Sequence, residues 1–354
     1  MRVALVHDYL TEMGGAERVV EAMTRTFPGA PLYTSAFSPS ACPAFVGLDV
    51  RTSFAQRLTS RKGAAKALFF TLPAAFRSLD LSAFDAVVSS SSGFAHHVRP
   101  RADALHICYC HNPPRFLWQP EDYFRGRTTL RWTLEPALAG FRRLDRAAAG
   151  RVGSYLANST TVRKRIRATY GRDATVLHPP VDTLLYQPTA DRSDRFLVVS
   201  RLLPYKRVDL AVDAATSAGL SLDVVGEGPD RARLEARAGK TVSFFGRVPD
   251  GEVRDLLARC TALILPGAED FGLTVVEAQA AGRPAIAYGA GGALETVTDG
   301  VNGFVFTEQS VPALIAAMHR AQDDGIDPDA LVASARRFDV ATFGLRLRST
   351  LRAG

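Results

Sequence analysis

The chain lacks any uninterrupted run of about 18 or more apolar residues, which excludes a membrane-spanning helix in the sequence. It is also poor in cysteine, and Cys42, Cys108, Cys110 and Cys260 do not have the spacing of a zinc site. We therefore expect buried free thiols, no bound metal and a reducing, cytoplasmic environment. The first predicted strand reaches Asp8 too early for the apolar core of a signal peptide.

The chain does have the composition of a folded globular protein, with 47% apolar and 22% charged residues. Its 354 residues exceed the roughly 250–300 at which single cores stop growing, so two domains are expected. Short apolar runs alternate with helical patterns, which predicts α/β domains built on parallel sheets. The predicted strands are 3–6, 31–34, 86–89, 106–110, 154–157, 175–177, 196–200, 222–225, 242–245, 262–265, 285–287 and 303–306.

A stretch between residues 178 and 194 is rich in proline, aspartate and serine and has no periodicity. Such a composition predicts a linker between domains. We expect a first domain at 1–187, a second at 188–336 and a C-terminal helix at 337–354.

Basic residues are concentrated in the first half of the chain. Residues 1–187 contain 24 Lys and Arg against 14 Asp and Glu, whereas residues 188–354 contain 19 against 22. A basic half favours an acidic partner, and no recognisable motif points to nucleic acid. Arg57, Arg61, Lys62 and Lys66 are interleaved with apolar residues, a pattern typical of a helix on an anionic membrane surface. The alternative is a helix packed on the protein with solvated cations.

The segment 265–281 combines a strand end, a glycine turn and a helix start with two carboxylates. It reads L-P-G-A-E-D-F-G-L-T-V-V-E-A-Q-A-A, and we predict that the helix begins at Thr274. Its free N–H groups and its dipole would form a phosphate site flanked by Glu269 and Glu277. In the alternative, Glu277 is part of a capping box with Thr274, and Glu269 is a solvated loop acid.

A second loop supplies cations that could meet such a phosphate. The predicted strand 196–200 is followed by Arg201 and Lys206, ahead of a helical pattern. Strand-to-helix loops are where α/β sheets bind ligands, and both side chains suit phosphate oxygens. The alternative is that these cations are solvated.

Together these segments resemble glycosyltransferase family 4, a family of retaining, nucleotide-sugar-dependent enzymes with the GT-B fold. The resemblance rests on S-R-L-L-P-Y-K-R-V-D and P-G-A-E-D-F-G-L-T-V-V-E-A, with V-H-D-Y-L-T-E-M-G-G-A-E-R-V-V and H-I-C-Y-C-H-N-P-P-R-F-L-W earlier in the chain. Within the family the chain is similar to bacterial mannosyltransferases of surface-polysaccharide assembly. The resemblance implies two Rossmann-like domains with parallel sheets facing across a cleft, and a C-terminal helix that returns to the first domain.

The resemblance also implies roles for individual residues. Arg201 and Lys206 would neutralise the donor diphosphate, Glu269 would hold the sugar, Glu277 would hold the ribose, and His111 would contact the sugar from the first domain. Further donor contacts are implied for Gly14, Gly15, Arg247, Phe271, Gly272, Leu273 and Thr274, and acceptor contacts for Asp8, Arg115 and Trp118. For Asp8 and the two glycines, the alternative is a structural role in a tight turn.

The implied activity is transfer of a sugar, with GDP-mannose as the leading donor, to a glycan or lipid-linked acceptor. No metal cofactor is expected, because fixed cations and a helix dipole take the charge of the leaving group. Two alternatives from other classes remain. One is a sugar-nucleotide epimerase on the same fold, and the other is a non-catalytic protein that binds a nucleotide sugar or a partner transferase.

Three further motifs carry less weight. Gly226-Glu227-Gly228 begins like a dinucleotide fingerprint, but Arg231 occupies the third glycine position. Asp327-Pro328-Asp329 matches the D-x-D pattern of a metal-binding pair. Because it precedes a helical pattern, we interpret it as a helix N-cap followed by proline. His96 and His97 have no partner ligands in the sequence, and we interpret them as structural.

Overall fold

The structure is a computed structural model that describes residues 1–59, 71–119 and 128–353. The chain divides into two compact units. Unit 1 consists of Met1–Pro180 together with Phe343–Gly354, and unit 2 consists of Val181–Thr342. Each unit contains one parallel sheet with helices packed on it.

The sheet of unit 1 has seven strands, and all of its pairings are parallel. Their order across the sheet is β3-β2-β1-β4-β5-β6-β7, so the direction of chain progress reverses between β1 and β4. The central strand β4 is buried along its whole length, as expected for a parallel sheet covered on both faces. The strands are β1 (Val3–His7), β2 (Leu32–Thr34), β3 (Val50–Thr52), β4 (Ala86–Ser91), β5 (Leu105–Cys110), β6 (Ser154–Ala157) and β7 (Thr175–Val176).

The helices of unit 1 connect these strands. The Ser159 side chain caps α6 by accepting from the Val162 N–H at 3.1 Å, and Gly171 ends it with φ 66°. Short 3₁₀ turns lie at Pro43–Phe45 and Ala95–His97. The described α-helices are α1 (Gly15–Thr26), α2 (Gln56–Thr59), α3 (Leu72–Arg77), α4 (Arg115–Trp118), α5 (Thr128–Ala149) and α6 (Thr160–Tyr170).

The sheet of unit 2 has six parallel strands in the order β10-β9-β8-β11-β12-β13. Its two faces are covered by separate apolar clusters, one centred on Val275 and Leu263 and the other on Ala211 and Phe304. The strands are β8 (Phe196–Val199), β9 (Leu222–Val225), β10 (Val242–Gly246), β11 (Leu263–Leu265), β12 (Ala285–Tyr288) and β13 (Gly303–Phe306).

Among the helices of unit 2, the helix Pro328–Arg336 begins at the motif that was predicted to be an N-cap. The Asp327 side chain accepts from the Asp329 N–H at 3.1 Å with Pro328 as the first helical residue, which confirms the cap interpretation of this motif. 3₁₀ turns lie at Thr183–Leu185 and Pro204–Lys206. The helices are α7 (Val208–Ala218), α8 (Arg231–Glu235), α9 (Asp250–Arg259), α10 (Leu273–Ala280), α11 (Ala293–Thr296), α12 (Val311–Asp323) and α13 (Pro328–Arg336).

The last helix, α14 (Val340–Ala353), contributes its residues from Phe343 onward to unit 1. Phe343 packs on Tyr109 of β5 with ring centroids 5.7 Å apart. The Arg348 Nε donates to the Thr26 carbonyl at the end of α1 at 3.0 Å. Unit 1 is therefore completed by a segment that follows unit 2 in the chain.

All four cysteines are buried free thiols, as their spacing predicted. Burial raises the pKa of the Cys260 thiol to about 12. No helix in the described part of the chain is long and apolar enough to cross a membrane.

Candidate functional site

Several loops of unit 2 leave its sheet at the same edge. Strands β8, β11 and β12 are neighbours and parallel, so the loops after them all begin at the carboxyl edge. These loops carry Arg201 after β8, Glu269 after β11 and Gly291 after β12. Chain progress reverses between β8 and β11, and ligands of open α/β sheets bind outside such a switch point.

Two of the predicted site residues in these loops form an ion pair. The Lys206 ammonium contacts the Glu269 carboxylate, and each side chain is 16% exposed. Arg207, which follows Lys206, has φ 55° and is the sole non-glycine residue with positive φ in the described ranges. Its guanidinium donates to Gln309 at 3.1 Å, and Gln309 donates to the Pro266 carbonyl at 2.9 Å. These bonds tie the lysine loop to the glutamate loop.

Glycines allow the backbones of these loops to approach closely. A Cβ on Gly267 would lie 2.7 Å from the Lys206 carbonyl oxygen. Gly291 has φ 70°, and a Cβ there would lie 2.2 Å from the Glu269 carbonyl oxygen. The Gly292 N–H donates to that same carbonyl at 2.8 Å. The position of Glu269 is thus fixed by backbone contacts from the loop after β12.

The helix after Glu269 begins differently from the prediction. Gly272 is its N-cap with φ 88°, and α10 begins at Leu273. Thr274 is therefore the second helical residue and Glu277 the fifth, so a capping box between them is excluded by position. Glu277 is 6% exposed, and Phe271 packs on Phe338 with ring centroids 5.3 Å apart. The first N–H groups of α10 still form an anion-binding helix end.

Arg201 is exposed, and its loop is held by the glycines of the G-E-G motif. A Cβ on Gly226 would lie 1.9 Å from the Ser200 carbonyl oxygen, and one on Gly228 would lie 2.2 Å from that of Leu202. This close packing explains both glycines without a dinucleotide. Arg247 is also exposed and directly follows β10, two strands away from β8.

In unit 1, Asp8 at the end of β1 is fully engaged by backbone. Its carboxylate accepts four N–H bonds, from residues 92, 93, 94 and 95, at 2.6–2.8 Å. The side chain is buried. The structure therefore favours the turn-capping alternative for Asp8 over the predicted acceptor contact, because both oxygens are already occupied.

His111 directly follows β5 and is half-buried. Its Nε2 lies 2.8 Å from the Ser90 Oγ on the neighbouring strand β4, and its ring packs on Tyr109 at 5.1 Å. Gly14 is the N-cap of α1, and Gly15 is the first helical residue. The structure thus places all three predicted residues at the carboxyl edge of the unit 1 sheet.

Arg115 and Trp118 lie on the short helix α4, and both are half-buried. The Trp118 Nε1 donates to Asp145 at 2.8 Å, and the Arg146 guanidinium lies 4.7 Å from the centre of the indole. These contacts hold the indole against unit 1. Contact of Trp118 with an acceptor stays a prediction.

Asp145 is the centre of a buried polar cluster that the sequence interpretation missed. His96 Nε2 and His97 Nε2 each lie 3.1 Å from its Oδ1, and the Tyr170 hydroxyl donates to its Oδ2 at 2.8 Å. Burial opposes the charge of Asp145, but the two histidines hold the pKa of this carboxyl below its ordinary range. Burial lowers the pKa of His97 to about 4. The cluster orders α4, α5 and α6, which agrees with a structural role for His96 and His97.

The predicted membrane segment falls mostly outside the described residues. Arg61, Lys62 and Lys66 lie outside them, and Arg57 is exposed on α2. Contact with a membrane therefore stays a prediction.

Two family models match the chain in succession. The family described as "Glycosyltransferase Family 4" matches residues 13–185, and "Glycosyl transferases group 1" matches residues 187–338. Among curated proteins, glycogen synthase of Xanthomonas oryzae pv. oryzae is 38% identical over 136 residues, which cover 36% of this chain and 26% of that protein. Glycogen synthase of Pseudomonas syringae pv. syringae is 29% identical over 202 residues, covering 53% and 39%. The matches thus span well under half the length of these relatives.

Solved structures resemble the whole chain. Anabaena HepE in complex with UDP-glucose has a TM-score of 0.75 at 20% identity and is covered completely by 99% of this chain. Sucrose-phosphate synthase from Thermosynechococcus elongatus has a TM-score of 0.75 at 17% identity, covering 99% of this chain and 98% of that one. At these identities the likeness establishes a shared fold.

Proposed function

The chain belongs to glycosyltransferase family 4 and has the GT-B fold, and from this premise we propose that it transfers a sugar from a nucleotide-diphosphate donor with retention. The observation that carries the proposal is the Lys206–Glu269 pair at the carboxyl edge of the unit 2 sheet. The N-terminus of α10 and the exposed Arg201 belong to the same edge. Cations, a helix end and a carboxylate are the groups that a sugar diphosphate requires.

On the donor side, the proposal assigns each group a task. Lys206 exchanges its carboxylate partner for a phosphate oxygen when the donor binds, and Arg201 adds a second cation. Together with the N–H groups of α10 they stabilise the negative charge that develops on the leaving diphosphate. Glu269, released from Lys206, accepts from sugar hydroxyls, and the backbone of residues 271–273 donates to the sugar. Glu277 accepts from the ribose hydroxyls, and Arg247 lies beside the base.

The bond changes follow from retention. The bond between the anomeric carbon and the phosphate oxygen breaks, and the acceptor oxygen forms its bond to the same face of that carbon. The acceptor proton passes to an oxygen of the departing phosphate, so no side chain of the protein needs to be a nucleophile. His111 is proposed to contact the donor sugar, and Arg115 the acceptor. The geometry rule for paired carboxylates in glycosidases does not apply to this site.

Two nucleotide sugars are candidates for the donor. GDP-mannose follows from the resemblance of the sequence to mannosyltransferases of polysaccharide assembly. UDP-glucose is the alternative, because the HepE structure was determined in complex with UDP-glucose. For the acceptor we propose a glycan or lipid-linked sugar of a cell-surface polysaccharide or glycolipid.

Thermal unfolding with GDP, UDP, ADP and their sugar conjugates identifies the donor. A ligand at about 100 times its dissociation constant stabilises by about 2.7 kcal/mol, which is readily measured. Arg201→Ala should abolish most of the shift caused by the correct nucleotide. Arg237→Ala, which removes an exposed ion pair with Asp213 on the same unit, is the matched control and should retain the shift.

Incubation of the donor with an acceptor panel, followed by mass spectrometry, tests transfer itself. A glycosylated acceptor with the anomeric configuration of the donor supports the proposal. Release of an isomerised sugar without acceptor would instead identify an epimerase, and binding without turnover across the panel would identify a non-catalytic protein.

Flotation with anionic liposomes at low salt separately tests the predicted membrane contact. The absence of binding would refute it.

A further inference from the structure

A chain of three buried polar side chains in unit 1, those of Glu17, His7 and Ser90, leads to the half-buried His111. His7 at the end of β1 has its Nε2 3.3 Å from the Glu17 Oε1 on α1. The His7 Nδ1 lies 3.2 Å from the Ser90 carbonyl oxygen and 3.1 Å from the Ser90 Oγ. The Ser90 Oγ lies 2.8 Å from the His111 Nε2. His7, Glu17 and Ser90 are 1%, 6% and 0% exposed, so water does not compete for these bonds.

The chemistry of the partners fixes where the protons are. A carbonyl oxygen can only accept, so the His7 Nδ1 that faces the Ser90 carbonyl must carry a proton. Without a lone pair, that nitrogen cannot accept from the Ser90 hydroxyl. The hydroxyl proton of Ser90 therefore points to its other neighbour, the His111 Nε2. His111 accepts at Nε2, and in its neutral form the proton lies on Nδ1.

The charges around His7 support this arrangement. Burial by itself would lower the pKa of His7, but the hydrogen bond and charge of Glu17, with Asp8 nearby, raise it above its ordinary value. Burial would likewise raise the pKa of Glu17, but His7 and, more weakly, His111 lower it. The charge of Glu17 also acts on the Cys42 thiol. Burial is the largest cause of the raised pKa of this thiol, and the charge of Glu17 adds to it. Both shifts favour the charged forms of the pair, an imidazolium and a carboxylate.

Gly14 makes room for the first member of the chain. A Cβ at this position would lie 3.0 Å from the Glu17 Oε2. The first glycine of the G-G-A-E-R segment thus leaves space for the carboxylate that its glutamate presents to His7.

We propose that Glu17, His7 and Ser90 are positioning residues that hold the His111 imidazole in the Nδ1–H tautomer. This inference rests on the proposed function, in which His111 contacts the donor sugar. The fixed tautomer makes the Nδ1–H a hydrogen-bond donor, so the sugar atom that it meets is an oxygen acting as acceptor. An imidazole free to change tautomer would offer that oxygen a lone pair in part of the molecules, and those molecules would bind the sugar less productively.

The tautomer is measured directly by ¹⁵N–¹H correlation spectra of the imidazole rings in the full chain, with His111→Gln identifying the resonance. We expect a protonated Nδ1 and an unprotonated Nε2 for His111 in the wild-type protein at neutral pH. A protonated Nε2 in the neutral ring would overturn the proposal. This measurement needs no turnover, so it decides the positioning chain even if the protein proves not to transfer a sugar.

Ser90→Ala tests the consequence for catalysis, and Ser89→Ala is the matched control. Ser89 is the preceding residue of β4 and makes the same kind of buried bond, to His106 at 3.0 Å. We expect Ser90→Ala to mix the two tautomers and to lower kcat roughly 10-fold, the lower end of the range for metal-bound histidines that lose their orienting partner. The KM for the donor should change little, and Ser89→Ala should leave kcat near wild type.

Equal losses in the two serine variants would overturn the proposal, because a general packing effect would then explain both. Glu17→Gln provides a second variant should Ser90→Ala fail to fold. It keeps the shape of the side chain and removes its charge, so the pKa of His7 should fall in the same spectra. An unchanged titration of His7 in this variant would also contradict the chain of contacts.

Discussion

At the scale of single residues, the most informative contact joins two groups that the sequence assigned to different parts of a ligand. Lys206 was predicted to bind phosphate and Glu269 to bind sugar, yet they contact each other. Both are largely buried, so either charge alone would be costly without a partner. A ligand that carries both a phosphate and hydroxyls can replace each partner at once.

Lys206→Ala and Glu269→Ala should each lower turnover on the order of 10²-fold, because each removes a group that stabilises charge or orients the sugar. Steady-state kinetics with the donor identified by the binding screen measures the loss. Circular dichroism and thermal unfolding confirm that the variants remain folded. Arg237→Ala serves again as the surface control, and wild-type turnover in either site variant would refute its assigned role.

At the scale of elements, the sequence predicted twelve strands, and the structure contains each of them within one or two residues at either end. It missed β3, because Val50–Thr52 is an edge strand whose residues are exposed or half-buried and carry no apolar run. It also placed the start of α10 one residue late. Gly272 was interpreted as part of a turn, whereas it directly precedes Leu273 and is the N-cap of α10.

What the sequence could not show are contacts between segments distant in the chain. The four N–H groups that engage Asp8 come from residues more than 80 positions away, and the same is true of the bond between His7 and Ser90. His7 and Glu17 lie in the same quoted motif as Gly14, but their pairing depends on the angle between β1 and α1. Periodicity carries no information on such angles, so the sequence named Asp8, His111, Arg115, Trp118 and the two glycines as site residues of unit 1 but not the contacts among His7, Glu17 and Ser90.

Gly228→Ala should displace the backbone of the loop after β8, which carries Arg201. The new Cβ would meet the Leu202 carbonyl at 2.2 Å, and the neighbour is main chain, which cannot turn away. We expect a loss of roughly 1–3 kcal/mol in unfolding free energy together with weaker donor binding. Denaturant unfolding and calorimetry measure the two effects.

Gly325→Ala is the control for this substitution, because a Cβ there meets nothing within 4 Å and its φ is not positive. It should leave donor binding unchanged. Gly228→Ala with wild-type affinity would show that the position of Arg201 does not depend on this contact.

At the scale of the whole molecule, stability should depend on pH through buried histidines of unit 1. Burial lowers the pKa of His97 to about 4 and that of His106 to about 3, from an ordinary 6.5. The unfolded chain therefore binds these protons at a higher pH than the folded chain does. Their stabilisation is complete above pH 6.5 and is lost as pH falls toward the folded values.

Thermal unfolding between about pH 7 and pH 5 should reveal this loss, at about 2 kcal/mol per histidine near pH 5. Between pH 6.5 and pH 5 the other shifted groups contribute little to this slope. The stabilisation that comes with the raised pKa of His7 is lost as pH rises above 6.5. The stabilisation that comes with the lowered pKa of Glu17 is lost as pH falls below 4.5. His106→Gln should reduce the slope and exposed His319→Gln should not, whereas a flat profile in the wild type would contradict burial of neutral histidines.

Metal removal should leave the reaction intact. The proposed mechanism neutralises the leaving diphosphate with Arg201, Lys206 and the end of α10. Transfer rates after dialysis against EDTA should therefore match those before it. A rate that disappears and returns with added Mg²⁺ or Mn²⁺ would show that the cations of the protein are insufficient.

The path of α14 has a consequence for synthesis on the ribosome. Unit 2 is encoded as an insertion between the two segments of unit 1, and the second segment supplies Phe343 and Arg348 to the packing of the first. During translation, unit 2 has all its residues before unit 1 does. We therefore consider nascent chains in which residues up to 342 have left the exit tunnel and residues from 343 onward have not. In these chains we expect unit 2 to resist protease and unit 1 to remain sensitive. The domain that is made first is the one that finishes folding last.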